Sequence, residues 1–511
     1  MWHVRALLLF GFLAVITGAK RLCIGSCCEQ DSRCSKWAHV GKCAEFPRWM
    51  LHNCRVSCGV CPEQSECPVA HTLEDRIKRM TKDKFVKQFR MSQCAPINQP
   101  TNCALNMCYH LKYRSFDGAC NNLNDSLVGA AYRPFKRLLS PNYDDEVNAA
   151  TGSLKRNLPN PRDVTLQLLR SRKSPTVRPN SLLMQWGQFL AHDLTTTSLD
   201  NTCRCGSNDR NRCTDIKSSR DRKCISFTRS IPACETGIRD VPREQVNRNT
   251  PFIDASAVYG SDHATATSLR KGGCWGVGLL TDMKATHDHK MGQSFPRLPS
   301  ETRFAVGDDR SDVFLGLGAL HTIFVRLHNK IAEELERINP GWAGHRLFQE
   351  TRKIVGAYMQ VITYQEFLPE LLGADFDNLI PPYSGWHKYE ENQLSAMQGN
   401  DSRVVTGGTD DLVRGMISTP SRAPQTINLQ LTEKAFGGFV DMASINIQRG
   451  RDHGFQSYNK YREMCDLPPV RNFSKWNSRE PEGGLACQPS LPDGRGLTGC
   501  PTKCVLGGRR F

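Results

Sequence analysis

Apolar residues along this chain recur mainly in steps of three and four. Leu317, Leu320, Phe324, Leu327, Ile331, Leu335 and Ile338 keep that step, which lines one face of a helix. Pro340 ends it, because proline cannot donate to the helical ladder. Residues 346–372 read as a second helical stretch. A third apolar run, Met184-Gln-Trp-Gly-Gln-Phe-Leu-Ala-His-Asp193, carries His192 near its end, with Gln188 one turn before it. Alternating apolar and polar runs, the mark of strands, are scarce. The pattern predicts a mainly α chain.

The first 19 residues follow another pattern. Arg5, an apolar run from Ala6 to Ile16 and the small residues Thr17, Gly18 and Ala19 read as a secretory signal over residues 1–19. That run is too short to span a bilayer and no later segment is long and apolar enough, so a secreted, extracellular product without a membrane span is expected. All 23 cysteines follow Ala19, which agrees with an oxidising compartment. An odd number leaves at least one thiol outside an intrachain pair. Asn124, Asn400 and Asn472 each begin an Asn-X-Ser acceptor for glycosylation. The formal net charge of +16 first of all describes a solvated surface. It also favours adherence to acidic glycans or matrix proteins. The charge is spread along the chain rather than gathered in a stripe, which argues against a nucleic-acid partner.

Between residues 28 and 61 stand Cys28, Cys34, Cys43, Cys54, Cys58 and Cys61, with Trp37, Gly41, Trp49 and Met50 among them. Cross-links can replace the core that so short a segment cannot build, and spacing alone leaves fifteen pairings open. The spacing and the ending Cys54-Arg-Val-Ser-Cys-Gly-Val-Cys61 resemble the ShKT domain. That resemblance implies Cys28–Cys61, Cys34–Cys54 and Cys43–Cys58. Residues 62–107 read as a linker, 108–475 as the large domain and 476–511 as an irregular tail rich in turn-formers. Within the large domain Cys203, Cys205, Cys213, Cys224 and Cys234 lie close together without neighbouring histidines. Zinc is conceivable there, and disulfides are favoured.

The His192 segment, Thr250-Pro-Phe-Ile-Asp-Ala-Ser256, Tyr113-Arg-Ser-Phe-Asp-Gly-Ala-Cys-Asn-Asn122, Phe304-Ala-Val-Gly-Asp-Asp-Arg-Ser-Asp312 and Ser444-Ile-Asn-Ile-Gln-Arg-Gly-Arg-Asp-His-Gly454 occur in that relation along the chain. Together they resemble the animal haem peroxidases, the myeloperoxidase-like family. The resemblance implies His192 as the proton-moving base, Arg310 as the catalytic arginine and Gln188 as the residue that positions water, peroxide or halide. The plain alternative for Arg310 is that it caps a turn or pairs with Asp308 or Asp309. The family's structural calcium would take Asp193, Thr250, Phe252 through its carbonyl, Asp254 and Ser256, an all-oxygen set suited to a hard cation. Asn446 would hydrogen-bond the second nitrogen of the iron-bound histidine, and Arg449 would lie near a haem propionate. His321, His328 and His453 read as structural.

Three features depart from the family. Its ester-forming aspartate and glutamate would fall at Ala191 and Val313, and its sulfonium-forming methionine at Phe314, so haem b here would be noncovalent. Phenols then become easier donors than chloride. The Phe-Arg-X-Gly-His helix that supplies the axial ligand has no counterpart, and no histidine occurs from Lys388 to Ile445. Residues 374–408 are shorter than the family's segment, and His387 is the nearby candidate in a polar context. The pattern also stops soon after Cys465. These readings predict a secreted haem peroxidase that reduces hydrogen peroxide and oxidises phenolic, tyrosine or halide donors, in matrix or cuticle cross-linking or an oxidative-stress response. Two alternatives stay open: an inactive extracellular interaction protein without the axial ligand, and a channel-directed ShKT protein.

Overall fold

The computed structural model describes residues 23–24, 27–46, 49–50, 53–58, 94–95, 97–123, 125–155, 158–169, 176–199, 203–207, 209, 211–272, 278–284, 294–296, 304–373, 376–380, 414, 416–418, 420–422, 427, 430–434 and 440–471. The expected signal, the tail over 476–511, Cys61 and His387 lie outside them.

The short N-terminal module holds α1 (Cys34–His39) and α2 (Lys42–Glu45). Cys34–Cys54 and Cys43–Cys58 are bonded, and these four cysteines with Met50 form its core. The linker expected over 62–107 ends earlier than that. Cys94 is bonded to Cys234, and Ala95 bridges Ala233 in a core with Tyr132, Ile231 and Val246. Residues 94–107, including the start of α3 (Met107–His110), therefore belong with the large domain.

Helices dominate that domain. A short α4 (Pro161–Val164) precedes α5 (Ser181–Leu194). Asn180 opens α5 by accepting the Leu182 N–H at 3.0 Å. The β1–β2 hairpin (Cys213–Lys217 and Cys224–Thr228) is antiparallel; Cys203–Cys213 holds its open end and Cys205–Cys224 its turn end. With Cys234 bonded to Cys94 as well, all five clustered cysteines are disulfides, as favoured over zinc.

One turn of helix, α6 (Ser256–Tyr259), leads to the long α7 (Leu315–Ile338) and α8 (Gly344–Val361). Helix α8 continues through a wide turn at Ile362–Phe367 into Leu368–Leu372. Trp186 and Phe189 of α5, Leu317, Leu320 and Phe324 of α7, and Phe348, Val355 and Met359 of α8 make the main core. The stripe read from the sequence is buried over the first half of α7 and emerges toward its end, where Ile338 is 64% exposed. Further along comes α9 (Met442–Asp452), with Ile445 packed on Ile216, Ile225 and Phe227 of the hairpin, and a short helix over Tyr458–Met464 follows it. Among the described residues no helix is long and apolar enough to cross a membrane.

Candidate active site

Helix α5 presents its functional residues by simple period. Trp186 and Phe189 face the core, with ring centroids 5.9 and 5.2 Å from Phe324. Gln188, Ala191 and His192 follow on the adjoining face. His192 is fully buried. Gln188 Oε1 accepts from Gln185 Nε2 at 3.2 Å, and its own Nε2 is buried without a hydrogen-bond partner among the described residues.

The segment carrying Arg310 is docked by backbone. Gly307 N–H donates to Val258 O and Asp308 N–H to Ala257 O, each at 2.9 Å. A side chain at 307 would come within 2.1 Å of Gly260 N and 2.3 Å of Ser256 O, so only glycine permits this approach. Asp308 thus comes to rest beside α5, its Oδ1 3.8 Å from His192 Nδ1. The same oxygen accepts Arg310 N–H at 2.7 Å and Nε–H at 2.8 Å. Arg310 Nη2 pairs with Asp308 Oδ2. It also donates to His192 O at 3.1 Å, Thr195 O at 2.8 Å and Thr196 Oγ1 at 2.6 Å. The plain reading of Arg310 is therefore correct as far as it goes: it pairs with Asp308 and caps α5, where a cation suits the helix dipole. That pairing also brings it to His192. Its Nη1 makes no hydrogen bond among the described residues, and the side chain keeps 10% of its surface exposed. Burial works against the charge on Asp308, but the Arg310 guanidinium and its hydrogen bond hold that carboxyl well below the usual range.

On the far side of α5, Asp193 meets the 250–256 loop. Its Oδ2 accepts the N–H groups of Asp254 and Ala255 at 3.1 and 3.2 Å, and its Oδ1 that of Ala257 at 2.8 Å. Ser256 Oγ donates to Asp193 O at 2.7 Å, and Thr250 Oγ1 to Asp254 Oδ2 at 2.8 Å. Ala255 turns the chain at φ +66°. Phe252 lies in the same loop, its ring against Gly129 and 5.6 Å from the Arg114 guanidinium. Two buried carboxylates thus stand together, and no lysine or arginine pairs with either among the described residues. Burial, and then the Asp254 carboxylate, push Asp193 up to about 8. A shared proton or a bound cation would each neutralise such a pair, and its oxygen-only donors are of the kind calcium takes.

Helix α9 approaches from another direction. Asp441 caps it by accepting Ser444 N–H at 3.1 Å and is itself held by Arg162 Nη1 at 2.6 Å. Asn446 is half-buried. Arg449 Nη1 donates to Thr228 O, Ser230 Oγ and Asp452 Oδ2 at 2.8, 3.0 and 2.9 Å, over the Phe227 ring. His453 Nε2 is engaged by Ser230 Oγ at 2.7 Å. His328 has partners on both ring nitrogens, Tyr259 Oη at 2.8 Å and Gly278 O at 2.9 Å, as a structural histidine should. His321 is different: it is fully buried and neither nitrogen has a hydrogen-bond partner among the described residues. Leaving such groups unmade costs about 1–3 kcal/mol each. Sequence reasoning missed Asp308 as a member of the site, although it stands two residues before Arg310.

The sequence model of the family described as animal haem peroxidase matches residues 113–396 and 382–483. The chain is 36% identical to "Peroxidase skpo-1" of Caenorhabditis elegans, over 94% of this chain and 85% of that protein. It is 33% identical to the human "Peroxidasin homolog", over 75% of this chain but 32% of that much longer protein. Among solved structures, peroxidase A from Dictyostelium discoideum shares the fold with a TM-score of 0.59 at 23% identity, covering 72% of this chain and 81% of that one. The alignment with the worm peroxidase runs over 569 positions against 511 residues here, so at least 58 of them have no counterpart in this chain. The two family matches overlap at residues 382–396.

Proposed function

Because the chain belongs to the animal haem peroxidase family, we propose that it is a secreted peroxidase that reduces hydrogen peroxide to water while oxidising phenols, protein tyrosines included. One peroxide and two phenols yield two waters and two phenoxyl radicals, whose coupling cross-links tyrosines. A bound haem supplies the redox centre at which the O–O bond breaks. The site residues fit the distal half of that pocket. Gln188 Nε2 and Arg310 Nη1 remain for an occupant, and Ala191, Val313 and Phe314 offer no group for a covalent link.

The observation that carries this reading is the shared carboxylate: Asp308 Oδ1 accepts from Arg310 Nε and lies 3.8 Å from His192 Nδ1. His192 takes the proton from the near peroxide oxygen and returns it to the leaving one. The fixed charge of Arg310 stabilises the negative charge that develops there, and Gln188 orients the peroxide. Asp193, Thr250, Phe252, Asp254 and Ser256 would hold calcium and keep His192 in register. Asn446 and Arg449 would serve the opposite face and a propionate. The test is peroxide-dependent tyrosine oxidation by haem-loaded protein. His192→Ala and Arg310→Ala should each lower it at least ~100-fold, and unchanged rates in both would refute the assignment.

A second reading, an inactive extracellular interaction protein, has one specific observation behind it. No histidine lies between His387 and His453, and the His453 Nε2 is already engaged. Calcium binding without haem uptake would favour that reading.

A further inference from the structure

His321 is the buried polar group that neither the proposed chemistry nor the packing accounts for. It sits on α7 facing α5, its ring edge-on to Phe189 with centroids 4.9 Å apart. Phe189 is one turn before His192 on α5. Burial pushes His321 down to about 4, and Asp308, Arg310 and Asp312 are the charges that act on it. At neutral pH it is therefore an uncharged imidazole with one N–H donor and one bare nitrogen. His328, two turns further along the same helix and as deeply buried, satisfies both of its nitrogens with protein atoms. His321 satisfies neither among the described residues. Buried groups in that state are ordinarily completed by an internal water with two to four polar partners. Asp308 is the buried carboxylate on that side: its Oδ1 lies 3.8 Å from Nδ1 of His192, one turn beyond the Phe189 ring that packs on His321, and its charge acts on His321.

We propose that His321 and Asp308 form an internal water site behind the His192–Arg310 pair, and that His321 is a positioning residue that keeps Asp308, and through it both members of the pair, in place. Water donates to an Asp308 oxygen and to the bare nitrogen of His321, or accepts the His321 N–H instead when that nitrogen faces it. The water site stands whether or not the protein turns over peroxide. Only the positioning role rests on the proposed function.

The test uses calcium-loaded protein as purified, without haem or peroxide, so that its failure is separate from failure of the peroxidase reading. A high-resolution crystal structure should show water within hydrogen-bond distance of a His321 ring nitrogen and an Asp308 oxygen. His321→Phe should lower Tm by several degrees and shift the His192 imidazole 15N resonances, and His321→Gln should restore most of both. A dry pocket overturns the proposal. So does an unchanged or raised Tm in His321→Phe, because removing a merely unsatisfied imidazole stabilises a protein. Should His321→Phe fail to fold, the wild-type crystal structure alone decides.

Discussion

Asp308 does at the scale of one residue what the motif suggests only for its neighbours. It is 4% exposed and neutralises a guanidinium whose other hydrogen bonds go to the end of α5. Removing one partner from such a pair strands the other charge. Asp308→Asn should therefore cost about 3–5 kcal/mol of stability in a denaturant titration, far more than an exposed acid would. The residues legible in sequence were those whose chemistry is local. His192 and Asp193 are adjacent on one helix, and Thr250, Asp254 and Ser256 alternate along one loop. Asp308 and His321 were not legible, because their surroundings come from three segments brought together by backbone bonds such as Gly307 to Val258. Nothing in their spacing distinguishes His321, which lacks partners, from His328, which has two.

Elements carry the next level of order. Helix α9 is fixed at both ends by buried charge. At its start Arg162, 1% exposed, joins Asp221, Glu433 and the capping Asp441. Arg162→Ala leaves Asp441 uncompensated and should destabilise by about 3–5 kcal/mol in thermal or denaturant unfolding, with loss of α9 order by hydrogen exchange. At its end lies Asp452. Burial pushes this carboxyl up, but Arg229 and Arg449 outweigh that and hold it at about 2, against an ordinary 3.8. A depressed acid contributes stability above its unfolded pKa and loses it as pH falls through the folded one. About 2 kcal/mol should therefore disappear between roughly pH 4 and pH 2, and Asp452→Asn should flatten that slope in pH-dependent unfolding. The helices themselves were readable: the step of three and four located α7, and Pro340 its end. The burial of its far end was not, since periodicity tells which face is apolar and not how far along it a partner reaches. The misplaced linker has a similar cause. Cys94 and Cys234 are 140 residues apart, and no local pattern joins them.

Across the whole molecule the parts close into a loop. The hydrogen bonds of Asp193 tie α5 to the 250–256 loop, α6 carries that loop to the 304–312 segment by backbone bonds, and Arg310 returns to α5. Calcium bound to the folded state alone adds about 4 kcal/mol at a thousandfold excess over Kd. Chelation should accordingly lower Tm and loosen the Arg310 segment in hydrogen exchange, while Asp254→Asn should make Tm insensitive to calcium. The proposed function requires that this half-site receive a haem although the sequence offers no histidine from 388 to 452. Titrating haem into calcium-loaded protein and following the Soret band tests it most directly. Saturation at one haem per chain is expected, with the pigment fully extracted by acidified organic solvent, because Ala191, Val313 and Phe314 offer no group for a covalent link. No Soret response from a protein that demonstrably holds its calcium would contradict it.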